Sequence, residues 1–473
     1  MSGRAAAPNH RSSRQGFASR ARAVLLLLTL LATAACGGAE SASGAISPRG
    51  PRDAAEPPGR HGSAVPLPFV HDDYPRALAD AKRLKRPIFV DAWAPWCHSC
   101  QSMRAFVLTD PTLAPLANDF VWLTIDTEKD SNAGFAERFT NHVWPTLWVI
   151  DAERESPVLR WEGTATAPEL LTLLATVKSG AREGAPELTM AFLRANQAAS
   201  RGEVAEAEQA YRALVNRTEF SERARAVEAL IGLLSARKDH AACTELAVAE
   251  APRLAPGTSR ATLLATGLSC AREAKRASEL RTLADAAERA AMDPDPRTID
   301  DDRSAMFEEL VETKKDQGDE AGAKTMARRW ASFLEQAAAR APTKEASAVF
   351  DPHRLSAYLA AGEPERALPM LSRSERAFPE DYNPPARLAR VYLTMKRLDE
   401  ANAAIERAAA RVYGPRSLRV FGLAAEIAKA RADTAGERRA LEQALSRTSR
   451  AILNDNQKKL RAALAEQLRA LGK

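Results

Sequence analysis

The sequence has few cysteines and few aromatic residues for its length, and neither sign of charge forms a long run. Its 473 residues include five cysteines, too sparse for a small disulfide-stapled fold. Aromatic residues make up 6%, and 67 Lys and Arg nearly balance 61 Asp and Glu. Basic residues alternate with acids instead of forming a stripe, so the pattern indicates no nucleic-acid partner. Abundant alanine and arginine favour helices over most of the chain, whose length indicates about two or three domains.

The first apolar run lies near the N-terminus and is short. Arginines precede it, and the run from Ala23 to Leu31 is too short to remain as a membrane-spanning helix, so residues 1–35 are predicted to be an export signal. The small residues before Cys36 resemble the end of a bacterial lipoprotein signal, in which the cysteine is acylated. Thr33 stands where leucine is usual. Cleavage nearby by the ordinary signal peptidase is the alternative.

Either cleavage places the mature protein outside the cytoplasm. Two acyl chains on Cys36 would tether it stably to a membrane, on the periplasmic side. Residues 36–66 are rich in Gly, Ser, Ala and Pro and have no hydrophobic period, which predicts a flexible linker.

Residues 67–180 have a different pattern, in which short apolar segments alternate with amphipathic ones. The segments PIFVDAWA, FVWLTID, TLWVID and PVLRWEG have the character of buried strands. With helical spacing before, between and after them, the predicted order is α-β-α-β-α-β-β-α. This order indicates an α/β domain with a mixed sheet covered by helices.

Cys97 and Cys100 follow the first predicted strand. A closed zinc site needs four ligands, and no second Cys/His pair follows at suitable spacing; His353, like the other histidines, shows no ligand spacing, so we expect no metal. A structural disulfide would close only a very small loop. We expect Cys97 to be an exposed nucleophile at a helix N-terminus, where unpaired N–H groups and the helix dipole stabilise a thiolate. Cys100, one turn on, can resolve a mixed disulfide.

The stretch VDAWAPWCHSC resembles the thioredoxin family, and HVWPTLWVID resembles the family's cis-proline loop, with Pro145 in the proline position. The continuation CHSCQSM with a later Asp-Pro is similar to exported thiol reductases of that superfamily. The resemblance implies a protein thiol–disulfide oxidoreductase that needs no cofactor beyond the redox-active disulfide of Cys97 and Cys100. Its partners would be proteins with disulfides or thiols, and an upstream thiol electron donor or acceptor.

The resemblance also implies roles for the neighbouring residues. Asp91 matches an acid that exchanges a proton with the resolving cysteine, although a hydrogen-bonded structural aspartate is the alternative. Trp122 stands where thioredoxins often carry a lysine near that acid. His98 either stabilises the thiolate or is an exposed ring of little influence, so the redox direction stays open. Residues expected to contact a substrate polypeptide are Trp96, His98, Trp144 and Pro145.

Residues 186–473 contain no strand-like run and repeat at their C-terminal end. Tyr358 and Tyr392 are 34 residues apart, as are Ala367 and Ala401. This period resembles tetratricopeptide repeats and predicts an all-α solenoid that binds a protein partner.

Cys243 and Cys270 lie in neighbouring helical segments of this region. In an oxidising compartment they either pair or remain two buried thiols.

Together these features predict an exported, membrane-tethered thiol–disulfide oxidoreductase with a helical-repeat domain for protein partners. Oxidase or isomerase activity reverses the direction of the same chemistry. The alternative of another class is an envelope adaptor or assembly protein in which the thiol domain is catalytically minor.

Overall fold

The structure is a computed structural model that describes residues 67–141, 143–180 and 186–472. The predicted export signal, Cys36 and the linker lie outside the described residues. Residues 67–180 form a domain built on a β-sheet, here the sheet domain, and residues 186–472 form a helical domain. Among the residues described, no helix is both long enough and apolar enough to cross a membrane.

The sheet domain contains a five-stranded mixed sheet in the order β1-β3-β2-β4-β5. Strand β2 lies at its centre, parallel to β3 and antiparallel to β4. Its first five residues are buried because both faces of the sheet are covered. The strands are β1 (Val70–His71), β2 (Ile88–Trp93), β3 (Val121–Asp126), β4 (Thr146–Asp151) and β5 (Ser156–Glu162).

Four α-helices connect and cover these strands: α1 (Tyr74–Leu84), α2 (His98–Ser102), α3 (Ala133–Arg138) and α4 (Ala167–Gly180). Helix α1 begins where the Asp73 carboxylate accepts a hydrogen bond from the amide of Arg76, at 3.0 Å. Helix α2 continues directly into a π-helical turn over Met103–Val107. The predicted fold class is confirmed, and the four predicted strands correspond to β2–β5. The two-residue strand β1 was not predicted because it is too short to give an alternating pattern.

The helical domain consists of helices joined by short turns. Its helices are α5 (Glu187–Ser200), α6 (Val204–Val215), α7 (Arg223–Ala236), α8 (His240–Glu250), α9 (Thr258–Glu273), α10 (Ala277–Met292), α11 (Asp300–Asp316), α12 (Glu320–Arg340), α13 (Lys344–Ala348), α14 (Asp351–Ala361), α15 (Ala367–Ala377), α16 (Asn383–Thr394), α17 (Leu398–Arg411), α18 (Ser417–Ala430), α19 (Thr434–Arg447) and α20 (Asp455–Ala470).

One turn type recurs between paired helices. A residue with positive φ, such as Gly318 or Ala432, is followed by an aspartate whose carboxylate caps the next helix. The cap satisfies an amide that has no partner inside the helix. Ala367 and Ala401, the small residues of the 34-residue period, are completely buried between helices.

The two domains share one continuous hydrophobic core, and a buried ionic cluster joins them. The guanidinium of Arg225 in α7 lies 2.8 Å from Glu169 of α4 and 2.8 Å from Glu228. Ser259 donates to the same Glu228 oxygen at 2.7 Å, and Arg225 stacks over Trp161 at 4.7 Å. These buried ionic and stacking contacts therefore hold the helical domain in a fixed position against the sheet domain.

Candidate functional site

Cys97 and Cys100 form a disulfide at the start of α2, with 5.3 Å between their Cα atoms. Cys97 is the N-cap residue, and its sulfur accepts a hydrogen bond from the backbone N–H of Cys100 at 3.0 Å. The Ser99 hydroxyl lies 3.6 Å from the same sulfur. An amide directed at this sulfur, at a helix N-terminus, stabilises the thiolate once the disulfide is reduced.

The Pro145 loop packs beside the disulfide. The Trp144–Pro145 peptide is cis, and the Ser99 hydroxyl donates to the Trp144 carbonyl at 3.4 Å. Trp96 and Trp144 pack against both cysteines, with their ring centroids 5.4 Å apart. The structure therefore brings the predicted substrate-contacting residues to one place.

A cavity of about 220 Å³ lies between Trp96 and Trp144 on one side and residues of the helical domain, including Arg416, on the other.

Asp91 lies inside the sheet domain, on β2, and is completely buried. Its Oδ2 accepts a weak hydrogen bond from Thr124 at 3.4 Å, whereas its Oδ1 has no partner among the described residues. Burial raises the pKa of Asp91 to about 6, opposed by the positive charge of Arg104 and the Thr124 hydrogen bond. A carboxyl that titrates near neutral pH can both accept and return a proton.

Asp91, Arg104 and Thr124 also line a cavity of about 240 Å³. Arg104 stacks over Trp93 at 3.9 Å, which holds the guanidinium near the acid. The positive charge near Asp91 therefore comes from Arg104, which lies in the π-helical turn that continues α2. Trp122, two positions before Thr124 on β3, carries no charge.

The expectation that Cys97 is exposed is wrong. Its exposed fraction is only 3%, because it packs with Cys100 and the indoles of Trp93, Trp96 and Trp144. The helical domain contacts the residues on either side of it. Asn383 of α16 donates to the Pro95 carbonyl at 3.1 Å, and the Arg416 guanidinium stacks over Trp96 at 5.2 Å. Sequence patterns could not reveal these contacts, because the residues that make them are 288 and 320 positions apart.

Sequence reasoning also missed an acidic pair next to Trp96. Glu128 accepts from the Trp96 indole N–H at 3.0 Å and from the Arg416 backbone N–H at 2.6 Å. Burial raises the pKa of Glu128 to about 7, and these two hydrogen bonds oppose the rise. The Tyr413 hydroxyl donates to Asp126 at 2.6 Å. The two acidic residues at and just after the end of β3, Asp126 and Glu128, are visible in the sequence, but the sequence does not reveal their hydrogen-bond partners.

His98 contacts the helical domain rather than standing free. Its Nδ1 lies 3.0 Å from Oδ1 of Asp301 and 2.9 Å from Nε2 of His353. Burial disfavours the charged form of Asp301, but the adjacent imidazoles hold the pKa of this carboxyl well below its ordinary value. His353 showed no ligand spacing because it lies 255 positions from His98 in sequence.

The other two cysteines of the described residues, Cys243 and Cys270, form a disulfide between α8 and α9, with 6.1 Å between their Cα atoms. Cys36, the predicted lipidation site, lies outside the described part of the chain.

Two family models match separate parts of the chain. A family model described as thioredoxin-like matches residues 70–152, and one described as tetratricopeptide repeat matches residues 358–427. The chain carries a thioredoxin-like domain followed by tetratricopeptide repeats. The first match covers the sheet domain from β1 to the end of β4, and the second covers the predicted 34-residue period.

Each curated relative matches only about a fifth of this chain. The thiol:disulfide interchange protein DsbD of Cronobacter sakazakii is 32% identical over 106 residues, which are 22% of this chain and 18% of that protein. Protein disulfide-isomerase 1 of Dictyostelium discoideum is 27% identical over 90 residues, 19% of this chain and 24% of that protein. The chain thus spans at most about a quarter of their lengths.

A tetratricopeptide repeat protein from Parabacteroides merdae is 11% identical, with a TM-score of 0.38; the match covers 59% of this chain and 98% of that one. A likeness at this level carries no further argument.

Proposed function

We propose that this protein is a thiol–disulfide oxidoreductase that acts on protein substrates. The observation that carries the proposal is the Cys97–Cys100 disulfide at the start of α2, with the Cys100 amide directed at the Cys97 sulfur and the Pro145 loop beside it. The thioredoxin-like match and the distant relationship to DsbD support the same chemistry.

In the reducing direction, the Cys97 thiolate attacks one sulfur of a substrate disulfide, and the other substrate sulfur leaves as a thiolate. Cys100 then loses its proton and attacks the Cys97 sulfur of the mixed disulfide, which releases the second substrate thiol. The enzyme ends with the Cys97–Cys100 disulfide and has supplied two electrons. An upstream dithiol must return them. Asp91, with its pKa near 6, is the proposed acceptor of the Cys100 proton.

The 3% exposure of Cys97 requires that substrates enter through a change at the domain contact. We propose that the helical domain controls access and provides part of the substrate surface, because it forms one wall of the cavity beside Trp96 and Trp144. Tetratricopeptide repeats are typical of surfaces that bind protein partners.

Trapping tests this proposal in the full chain. Cys100→Ser removes the resolving thiol, so mixed disulfides on Cys97 should accumulate and dissolve on reduction. The double variant Cys97→Ser/Cys100→Ser is the matched control and should trap nothing. If the single variant forms no more adducts than the double variant, and if wild-type protein reduces insulin no faster than Cys97→Ser, the proposal fails.

The same burial of Cys97 favours a second candidate, an adaptor in which the disulfide is structural. An adaptor would keep its protein partners after Cys97 and Cys100 are both replaced, and its disulfide would resist dithiothreitol. The redox direction is a separate question. A reduction potential below or above the thioredoxin value of about −270 mV distinguishes a reductase from an oxidase or isomerase.

We further propose that the protein is exported and lipid-anchored at Cys36 on the periplasmic side of a bacterial membrane. The apolar run before Cys36 supports this location, as does a second disulfide, Cys243–Cys270, of a kind rare in the cytosol. Metabolic labelling with palmitate should label wild-type protein and not Cys36→Ala. Equal labelling of both would exclude this anchor.

A further inference from the structure

Three ligand-type side chains converge at the contact between the two domains. His98 opens α2, Asp301 lies in the first turn of α11, and His353 lies in the first turn of α14. Their facing atoms are separated by 3.0 Å (His98–Asp301), 2.9 Å (His98–His353) and 3.1 Å (Asp301–His353). The side chains of Asp301 and His353 are 4% and 5% exposed, whereas that of His98 is 36% exposed.

Hydrogen bonds cannot account for all three contacts. Each facing ring nitrogen has either one hydrogen or one lone pair, and an ionised carboxylate oxygen has no hydrogen. If both imidazoles donate to Asp301, two N–H groups face each other at 2.9 Å across the His98–His353 edge. If one imidazole donates to the other, a nitrogen lone pair faces the carboxylate. One edge of the triangle is repulsive in either case.

A cation removes the conflict, because all three atoms can then direct lone pairs at it. The centre of a triangle with these edges lies about 1.7 Å from each atom, so an ion slightly above the plane reaches the zinc–nitrogen distance of about 2.0–2.1 Å. We propose that His98, Asp301 and His353 bind one divalent transition-metal ion of the Zn²⁺ class.

The donor set and its surroundings fit that class of ion. Two imidazoles and one carboxylate are borderline ligands that suit Zn²⁺ better than Mg²⁺ or Ca²⁺, which prefer oxygen ligands. His98 is the most exposed of the three residues, so a water molecule would reach the ion as a fourth ligand from its side.

The ion would connect the two domains at the redox motif itself. His98 stands between Cys97 and Cys100, whereas both other ligands belong to the helical domain. The bound ion would therefore hold the helical domain against the turn that carries Cys97. The site rests on the geometry of these three residues and not on the proposed redox activity.

Zinc titration of the full chain tests the site. The protein should carry Cys36→Ala and no histidine tag, keep both disulfides oxidised so that no thiol competes, and be stripped with chelator first. Isothermal calorimetry with Zn²⁺ should give one site per chain, and Zn²⁺ should raise the thermal unfolding temperature. Co²⁺ should give the visible absorption of a site with nitrogen ligands in low coordination.

Three variants and one control make the test specific. Asp301→Asn, His353→Ala and His98→Ala should each weaken Zn²⁺ binding more than about 100-fold, since even the outer partners of metal ligands are worth 10–100-fold. His240→Ala, which replaces a histidine of the same domain outside the cluster, should bind like wild type.

His98→Ala decides the matter if the buried variants misfold, because its side chain is partly exposed. Absence of zinc binding by wild type would overturn the proposal, and so would wild-type affinity in folded His98→Ala. These results are independent of whether the protein reduces disulfides.

Discussion

Replacement of Asp91 by asparagine tests the electrostatics at the centre of the sheet domain. The substitution keeps the size of the side chain and removes its charge. Asp91 is completely buried, with one carboxylate oxygen lacking a partner. We expect Asp91→Asn to stabilise the oxidised protein above neutral pH and to slow its thiol chemistry.

The magnitude follows from the pKa of Asp91, about 6 in the folded chain against an ordinary value of 3.8. The folded state binds this proton more tightly than the unfolded state, so stability falls as pH rises from about 4 to about 6 and the loss is complete above pH 7. The ionised Asp91 carboxylate therefore lowers the free energy of unfolding by about 3 kcal/mol at pH 8 and by under about 1 kcal/mol at pH 4. Asparagine should recover up to these amounts.

Urea unfolding followed by tryptophan fluorescence, at pH 8 and pH 4, measures the effect. Asp80→Asn, at an exposed ion pair with Arg83 in α1, is the control and should change stability by under about 1 kcal/mol at either pH. Disulfide exchange by wild type should rise with pH through about 6, whereas in Asp91→Asn it should rise only as Cys100 itself ionises. If Asp91→Asn gains the same stability at pH 4 as at pH 8, or loses stability at pH 8, the reasoning is refuted.

The remaining predictions concern the domain contact and the second disulfide. Arg225→Ala should destabilise the protein by about 3–5 kcal/mol, measured by thermal unfolding, because it leaves Glu228 as an uncompensated buried charge. Cys243→Ala/Cys270→Ala should cost about 2–4 kcal/mol, since the bond closes a loop of 27 residues. Asn383→Ala removes the hydrogen bond to the Pro95 carbonyl, worth about 1 kcal/mol, and so weakens the contact between the helical domain and the turn that carries Cys97. Dithiothreitol should therefore reduce the Cys97–Cys100 disulfide several-fold faster.

Each of these outcomes has a control in the chain. Arg217→Ala, at an exposed ion pair with Glu219, should leave stability unchanged. Asn402→Ala, in the helix after Asn383, should leave the reduction rate unchanged. An equal effect of Arg217→Ala and Arg225→Ala would contradict the importance of burial. Reductant should lower the stability of wild type more than that of the Cys243/Cys270 variant; an equal loss would contradict the role given to that disulfide.

Local patterns were sufficient for the elements and their order. The apolar segments around Asp91 and Trp148 have the lengths and spacing of buried strands, and the 34-residue spacing of Tyr358 and Tyr392 reports a repeating helix pair. These features depend on residues a few positions apart, so sequence reasoning can detect them.

The cover over Cys97 and the His98 cluster could not be predicted in this way. Asn383, Asp301 and His353 are 203–288 positions from their partners, and each is unremarkable within its own helix. A histidine at the start of a helix gives no signal of its tertiary neighbours. The expectation of an exposed Cys97 failed because tertiary packing places the indoles of Trp93, Trp96 and Trp144 against it, while the helical domain contacts the residues on either side of it.

The sequence by itself determined one chemical feature, a cysteine pair after a buried strand, and one architectural feature, a long helical region with a repeat. Periodicity and local capping fix these features, since they depend on short-range sterics and hydrogen bonding. The tertiary structure alone decided that the helical region contacts the turn that carries the cysteine pair, buries Glu128 beside Trp96 and brings Asp301 and His353 to His98. Such contacts depend on how successive helices stack. Small rotations between neighbouring helices add up along the domain, and no local sequence pattern reports their sum.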